Sequence, residues 1–161
     1  MSVRVRPMLD EEARAFLEVH RAAVRGIAAK DYPQAVIEDW APLPVTENRV
    51  ARFLENPDDE IRIVAEGEGE IVGVGALVLE NAELRACYVA PTAGRMGVGT
   101  ALVREIEEIA RRHGLGGLWL DSSLTAEPFY RALGYVAQGR GEHSLRSGRR
   151  MACVKMKKSF R

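Results

Sequence analysis

The fold is decided by a strand that runs through glycines into a helix, Val89-Ala90-Pro91-Thr92-Ala93-Gly94-Arg95-Met96-Gly97-Val98-Gly99-Thr100-Ala101-Leu102. The N-terminus of a helix exposes about four unpaired backbone N–H groups and carries roughly half a positive charge. A phosphate placed there needs few side chains. The stretch therefore predicts an anion-binding site where the helix begins.

Three residues of this loop favour a bound phosphate. Gly97 and Gly99 remove side chains that would block its approach, and Arg95 adds a permanent cation. Tight packing is the alternative reason for the glycines. A P-loop and a dinucleotide fingerprint both fit poorly, because no lysine follows the glycines and Leu102 stands at the final small position of the fingerprint.

The segments on either side of the loop have the periodicity of strands and helices. Residues 60–66 and 70–79 predict an antiparallel hairpin, and 83–90 predicts the strand that enters the loop. After the loop, 118–120 predicts a buried strand and 125–133 a short helix, followed by two final strands. The order reads β-α-α-β-β-β-α-β-α-β-β, with an extra helical piece among the N-terminal helices.

This order predicts the fold class. We expect an α/β (α+β) protein with a mixed, mostly antiparallel central sheet and helices on both faces, built as a single domain over residues 1–161. In the helix after the loop, Leu102 and Ile106 belong to a buried stripe. Glu107 is expected to form an exposed pair with Arg111.

The composition argues against several classes of protein. Lys and Arg together number 23, as do Asp and Glu, so the basic excess typical of nucleic-acid-binding proteins is missing. No apolar run reaches the roughly 18 residues of a membrane span, and the charged N-terminus does not resemble a secretory signal. We expect a cytoplasmic protein that contacts no membrane. The histidines His20, His113 and His143 lack metal-ligand spacing, which predicts no metal site.

A second motif follows the loop, Ala126-Glu127-Pro128-Phe129-Tyr130-Arg131-Ala132-Leu133-Gly134-Tyr135. Together the two motifs resemble the GNAT superfamily of acyl-CoA-dependent N-acetyltransferases. That family pairs a Gln/Arg-x-x-Gly-x-Gly/Ala turn, after its fourth strand, with a later Phe-Tyr-x-x-x-Gly-Phe/Tyr helix. The chain departs from the pattern at Gly94, where Gln or Arg is usual, and at Thr125, where Asn often stands.

The resemblance implies that acetyl-CoA is the cosubstrate, with its diphosphate on the loop and its pantetheine arm along the preceding strand. Val89 is expected at a bulge near the end of that strand, where its backbone faces the arm. The residues that the resemblance assigns to the cofactor are Tyr88, Val89, Ala90, Arg95, Met96, Gly97, Val98, Gly99, Thr100, Thr125 and Phe129.

Acetyl transfer to an amine needs a proton acceptor for the ammonium group and a proton donor for the departing thiolate. Tyr130 is the expected donor, because a phenol with a pKa of about 10 is protonated at neutral pH; packing between helix and sheet is the alternative. Glu83 is the first candidate for the acceptor, and a solvent-facing strand end is an equal alternative. Direct attack is favoured over a covalent route through Cys87, which has no histidine near it in sequence.

The sequence does not identify the acceptor amine, which could belong to a small molecule, a peptide or a protein. A homodimer is possible. A wall of the acceptor pocket could come from His143 with Tyr32, Glu38, Asp39 and Trp40. Two other functions compete with catalysis: a module that senses acyl-CoA without turnover, and a nucleotide-binding protein of another class.

A thermal shift separates the ligand classes. Coenzyme A at about 100 times its dissociation constant should stabilise the protein by roughly 2.7 kcal/mol, which raises Tm by several degrees in a domain of this size. NAD and ATP should leave Tm unchanged. Stabilisation by NAD or ATP without any response to coenzyme A would contradict the cofactor prediction.

Overall fold

The structure, a computed structural model, describes residues 2–161 as seven strands and five helices. The strands are β1 (Val3–Pro7), β2 (Ile61–Gly67), β3 (Glu70–Val78), β4 (Glu83–Val89), β5 (Gly117–Ser123), β6 (Val136–Ser144) and β7 (Arg150–Ser159). The helices are α1 (Ala13–Ile27), α2 (Gln34–Trp40), α3 (Glu47–Glu55), α4 (Val98–Arg112) and α5 (Glu127–Ala132). The predicted order of elements is confirmed, and α3 is the extra helical piece.

All seven strands lie in one sheet in the order β1-β2-β3-β4-β5-β7-β6. Every neighbouring pair is antiparallel except β4 and β5, which are parallel. β3 lies near the middle and is buried along almost its whole length. It reads as a continuous apolar run because both of its faces are covered.

Helices cover the two faces of the sheet, as predicted. On one face, Phe16 of α1 packs with Val64 and Val74. On the other face, Leu102 and Ile106 of α4 are fully buried in the main core. The stripe predicted for α4 therefore faces the sheet. Within residues 2–161, every helix is too short or too polar to cross a membrane.

The prediction for Glu107 was wrong. Its side chain is buried, with the residue only 4% exposed, and it accepts hydrogen bonds from the Tyr135 hydroxyl (2.8 Å) and from Lys158 Nζ (2.9 Å). A buried carboxylate requires such partners, and both come from residues far along the chain. This network joins α4 to the segment that follows α5.

Close approach between α4 and the sheet depends on small residues in β3. A Cβ added at Gly73 would lie 2.7 Å from Val98 Cγ1 and 2.9 Å from Leu102 Cδ1. Both neighbours are buried, so they have little room to move. Gly73 thus sets the distance between the sheet and the first turn of α4.

We expect Gly73→Ala to lower the free energy of unfolding by about 1–3 kcal/mol, because the added methyl group overpacks this contact. Urea denaturation followed by circular dichroism measures the change. Gly116→Ala is the matched control: no atom lies within 4 Å of its added Cβ, so its unfolding free energy should stay within about 0.5 kcal/mol of the parent. Equal midpoints for the two variants would contradict the close packing.

Candidate functional site

The loop between β4 and α4 presents a row of free backbone donors. Its short 3₁₀ turn, Pro91–Ala93, leads to residue 94, and α4 begins at Val98. The first helical bond of α4 runs from the Ala101 N–H to the Gly97 carbonyl. Within residues 2–161, the N–H groups of residues 95–100 donate to no acceptor, and no side chain caps α4. The predicted anion site is therefore open.

The two glycines of this loop serve different purposes. Gly97, the N-cap of α4, has φ of 79°, a left-handed conformation that favours glycine. Gly99 has an ordinary φ, but an added Cβ there would lie 3.0 Å from Cζ of the Phe129 ring. One glycine is required by the backbone, and the other by a close contact with α5. Arg95 is exposed beside them, also at a positive φ of 64°.

Within the described residues, β4 and β5 pair at one position and then diverge. Their only paired residues in the described chain are Glu83 and Trp119, at the start of each strand. On the β3 side, the Ala90 N–H donates to the Val72 carbonyl at 2.8 Å. Because bonded and non-bonded pairs alternate along an antiparallel ladder, the N–H and C=O of Val89 point the other way, into the gap.

The bulge predicted at Val89 was wrong, since the irregularity in β4 lies at Arg85. The register with β3 shifts between Ala76 and Leu77, which leaves Arg85 without an opposite residue, while Val89 pairs regularly with Gly73. The backbone of Val89 reaches the gap because β5 diverges, and no bulge is needed. The backbone of Ala90 is less available to the pantetheine arm than expected, because its N–H already donates to the Val72 carbonyl of β3.

A cavity of about 300 Å³ fills the gap between the two strands. It brings together seven of the residues predicted for catalysis or cofactor binding. These are Glu83, Tyr88, Val89, Gly99, Thr125, Phe129 and Tyr130. The remaining predicted residues belong to the loop, where Val98 is buried against the sheet and can offer only its backbone N–H.

Tyr130 is placed as a proton donor would be. The residue is 6% exposed and lines the cavity, and its hydroxyl makes no hydrogen bond with another described residue. Its ring packs edge-on against Phe129 and Tyr135, with centroids 5.0 and 5.8 Å away. Burial raises the pKa of Tyr130 well above its ordinary value, so the phenol stays protonated.

Glu83 is buried and does not face solvent. The residue is 7% exposed, and its carboxylate accepts from Arg85 Nη2 at 2.9 Å. Arg85 also binds Asp58 and Glu60, so one guanidinium holds three carboxylates. Glu83 lines the cavity where β4 and β5 pair, six residues before Val89, a separation of about 20 Å along an extended strand.

The wall on the helix side is apolar and aromatic. Trp40 lines the cavity together with Ala23, Val24, Ile27 and Ala28. Of the other residues predicted for this wall, Tyr32 lies behind Trp40, with its hydroxyl donating to the Ala152 carbonyl at 2.6 Å. Asp39 instead binds the turn between β6 and β7, and Glu38 bonds to Gln34 outside the cavity.

The sheet side of the cavity is polar. His143, as expected, faces the cavity. Sequence analysis missed its neighbours Asp121, Ser123, Met151 and Cys153. Asp121 and Ser123 alternate with the buried Leu118 and Leu120 along β5, and that period of two was the available indication. Thr125 lies at the rim, with its hydroxyl donating to Asp31 at 2.6 Å.

The sequence matches a known family over the part that carries the loop and Tyr130. The model of the acetyltransferase (GNAT) family covers residues 21–135. The chain belongs to the GNAT family of acetyltransferases. An IAA acetyltransferase of Azospirillum brasilense is 32% identical over 93 residues, which are 53% of this chain and 60% of that protein. The chain therefore matches less than two thirds of the length of that GNAT relative.

Solved structures share the GNAT fold over almost the whole chain. A GCN5-related N-acetyltransferase (aminotransferase, class-II) from Rhodopseudomonas palustris has a TM-score of 0.88 at 28% identity, covering 99% of this chain and 96% of that one. The paia N-acetyltransferase of Thermoplasma acidophilum, in complex with coenzyme A, has a TM-score of 0.75 at 21% identity, covering 99% and 100%. The structure of yncA from Salmonella typhimurium, with its cofactor acetyl-CoA, has a TM-score of 0.71 at 18% identity. The match covers 100% of this chain and 95% of that one.

We expect the Cys87 thiol to be a poor nucleophile. Burial raises its pKa to about 12, so only about one thiol in ten thousand is ionised at pH 8. In a Cys153→Ala variant, the rate of alkylation by iodoacetamide should rise about tenfold for each pH unit from 8 to 10. A rate that levels off near pH 9, as for an unperturbed thiol, would contradict this.

Proposed function

We propose that the protein transfers an acetyl group from acetyl-CoA to a primary amine by direct attack. The observation that carries the proposal is the continuity of the site: the free N–H groups at the start of α4 adjoin, through Gly99, a cavity that Tyr130 lines with a hydroxyl that bonds to no other described residue. Membership of the GNAT family supports acetyl transfer. Two structures of the same fold, with coenzyme A and with acetyl-CoA, support the choice of cosubstrate.

The diphosphate of the cosubstrate is proposed to bind the backbone of residues 95–100. Its charge is matched by the row of N–H groups and by the helix dipole, and Arg95 adds a cation. The pantetheine arm then enters the gap and bonds the outward-facing backbone of Val89. Tyr88 and Phe129 line its path.

Tyr130 is proposed as the general acid. When the carbon–sulfur bond breaks, the thiolate needs a proton, and the phenol faces the cavity with no other partner. Its raised pKa keeps the proton available until the thiolate forms. The N–H of Val89 is proposed to polarise the thioester carbonyl, since it points into the same gap.

Glu83 is proposed to accept the proton of the acceptor's ammonium group, directly or through water. An alkylammonium with a pKa of about 10.4 must lose a proton before the nitrogen can attack. Glu83 offers a carboxylate in the cavity, and Arg85 Nη2 donates to that carboxylate at 2.9 Å. Direct attack is preferred because burial keeps the Cys87 thiol protonated.

A Tyr130→Phe variant tests the mechanism. With a saturating amine, kcat for thiol release should fall by about a hundredfold, because general acid catalysis is lost. KM for acetyl-CoA should change little, since the ring remains. Tyr135→Phe is the matched control: its hydroxyl bonds to Glu107 in the core, outside the cavity, so its kcat should stay near that of the parent.

Unchanged turnover in Tyr130→Phe would remove this residue from the mechanism. If the parent protein binds coenzyme A but releases no thiol with any amine, the alternative of a sensing module is favoured instead. Mass spectrometry of the protein incubated with acetyl-CoA alone should show no acetyl adduct, and a stable adduct on Cys87 would contradict direct attack.

A further inference from the structure

Three charged side chains form a chain on the polar wall of the cavity. His143 Nδ1 lies 3.0 Å from Asp121 Oδ2, and Lys155 Nζ lies 2.8 Å from Asp121 Oδ1. They come from three adjacent strands, β6, β5 and β7. The family model ends at residue 135, so two of the three residues lie beyond it.

Asp121 is held in place from both sides. Its side chain is only 12% exposed, and Lys155 Nζ places an opposite charge beside it. The stem of Lys155 crosses β6 at Gly141, where an added Cβ would lie 2.7 Å from Lys155 Cε. Bonding to Asp121 raises the pKa of Lys155, which keeps the ammonium charged.

This arrangement determines which nitrogen of His143 is free. An ionised carboxylate only accepts hydrogen bonds, so the proton of the neutral imidazole lies on Nδ1, facing Asp121. Nε2 is left with a lone pair. An imidazole oriented in this way by a carboxylate is an arrangement suited to accepting a proton.

Asp121 and His143 line the same cavity as Glu83. Trp119 pairs with Glu83, and Asp121 follows two residues later, about 7 Å further toward the level of Val89. His143 and Tyr130 both line the cavity. The His143 side chain is 47% exposed, so a proton taken up by it can pass to solvent.

We propose that His143, positioned by Asp121, is the group that contacts the acceptor amine and takes the proton from its ammonium group. The proposal rests on the acetyl transfer proposed above. It identifies the side chain that removes the ammonium proton before the nitrogen attacks. This assignment replaces the direct role of Glu83, which lines the same cavity and is paired with Arg85.

The protons and electrons of the reaction balance with this assignment. A nitrogen–hydrogen bond of the ammonium breaks, the electron pair stays on nitrogen, and the proton bonds to His143 Nε2. The nitrogen then forms its bond to the acetyl carbon, and the carbon–sulfur bond breaks. Tyr130 protonates the thiolate and regains a proton from the nitrogen. The imidazolium releases its proton to solvent.

Several titratable groups surround His143. Among the described residues, the helix side of the cavity contributes only apolar residues and Trp40. The titratable groups that line the cavity with His143 are Glu83, Arg85, Cys87, Tyr88, Asp121, Tyr130 and Cys153. Lys155 binds Asp121, and the neighbouring strands β6 and β7 add Arg140 and the exposed pair of Glu142 with Arg150. Asp121 alone bonds to the imidazole, so its removal should alter His143 most.

The test uses a His143→Gln variant of the full chain with acetyl-CoA and a primary amine. We expect kcat/KM for the amine to fall by about a hundredfold and its acidic limb in the pH profile to disappear. A His143→Ala variant should recover part of this activity when imidazole is added. His113→Gln is the matched control, because His113 is exposed at the end of α4, away from the cavity.

Asp121→Asn tests the positioning role. The asparagine amide can donate to Nδ1, which moves the imidazole proton to Nε2 and removes the lone pair. Nitrogen-15 NMR of the neutral imidazole should show the proton on Nδ1 in the parent and on Nε2 in the variant. A parent protein with its proton on Nε2 would overturn the proposal without any activity measurement.

The kinetic results separate this proposal from the proposed function. If His143→Gln keeps the rate and pH profile of the parent while Glu83→Gln loses activity, His143 is not the proton acceptor and the acetyl transfer stands. If the parent releases no thiol with any amine, the proposed function fails, and His143 has no catalytic step to perform.

Discussion

The cavity and everything that lines it depend on the separation of strand β4 from strand β5. A parallel pair that continued would have bonded the backbone of the two strands and left no room between them. Here the pairing stops after Glu83 and Trp119, and the strands diverge around a cavity. The backbone of Val89 is thereby left facing the gap, where a ligand that is itself amide-rich can replace the missing strand. The proposed path of the cosubstrate and the proposed reaction centre both depend on this one interruption.

Two contacts fix the positions of the elements around that cavity. Gly73 lets the first turn of α4 approach the sheet closely, which sets the free N–H groups beside the end of β4. The buried carboxylate of Glu107 binds Tyr135, whose ring packs against Tyr130. The helix proposed to bind the diphosphate is therefore linked through packed side chains to the proposed general acid.

The two walls of the acceptor side have opposite character. Helices α1 and α2 supply apolar residues and Trp40, and the strands β5, β6 and β7 supply a charged chain. Asp39 binds Ser147 and Arg149 and so fastens the turn between β6 and β7 to α2. Much of this polar wall lies beyond residue 135, outside the part matched by the family model. The cavity thus combines an apolar surface on its helix side with charged side chains on its sheet side, which suits the body and the nitrogen of the proposed amine.

The sequence by itself determined the order of elements, and it predicted an anion site at the start of α4 and a role for Tyr130. Each of these follows from local periodicity or from a short motif, because glycine, capping and alternation act over a few residues. Only the tertiary structure decided that Glu107 is buried, that the irregularity of β4 lies at Arg85, and that Asp121 meets His143. These facts depend on strand register and on contacts between distant segments. A side chain's neighbours across a sheet are set by packing, which no short stretch of sequence contains.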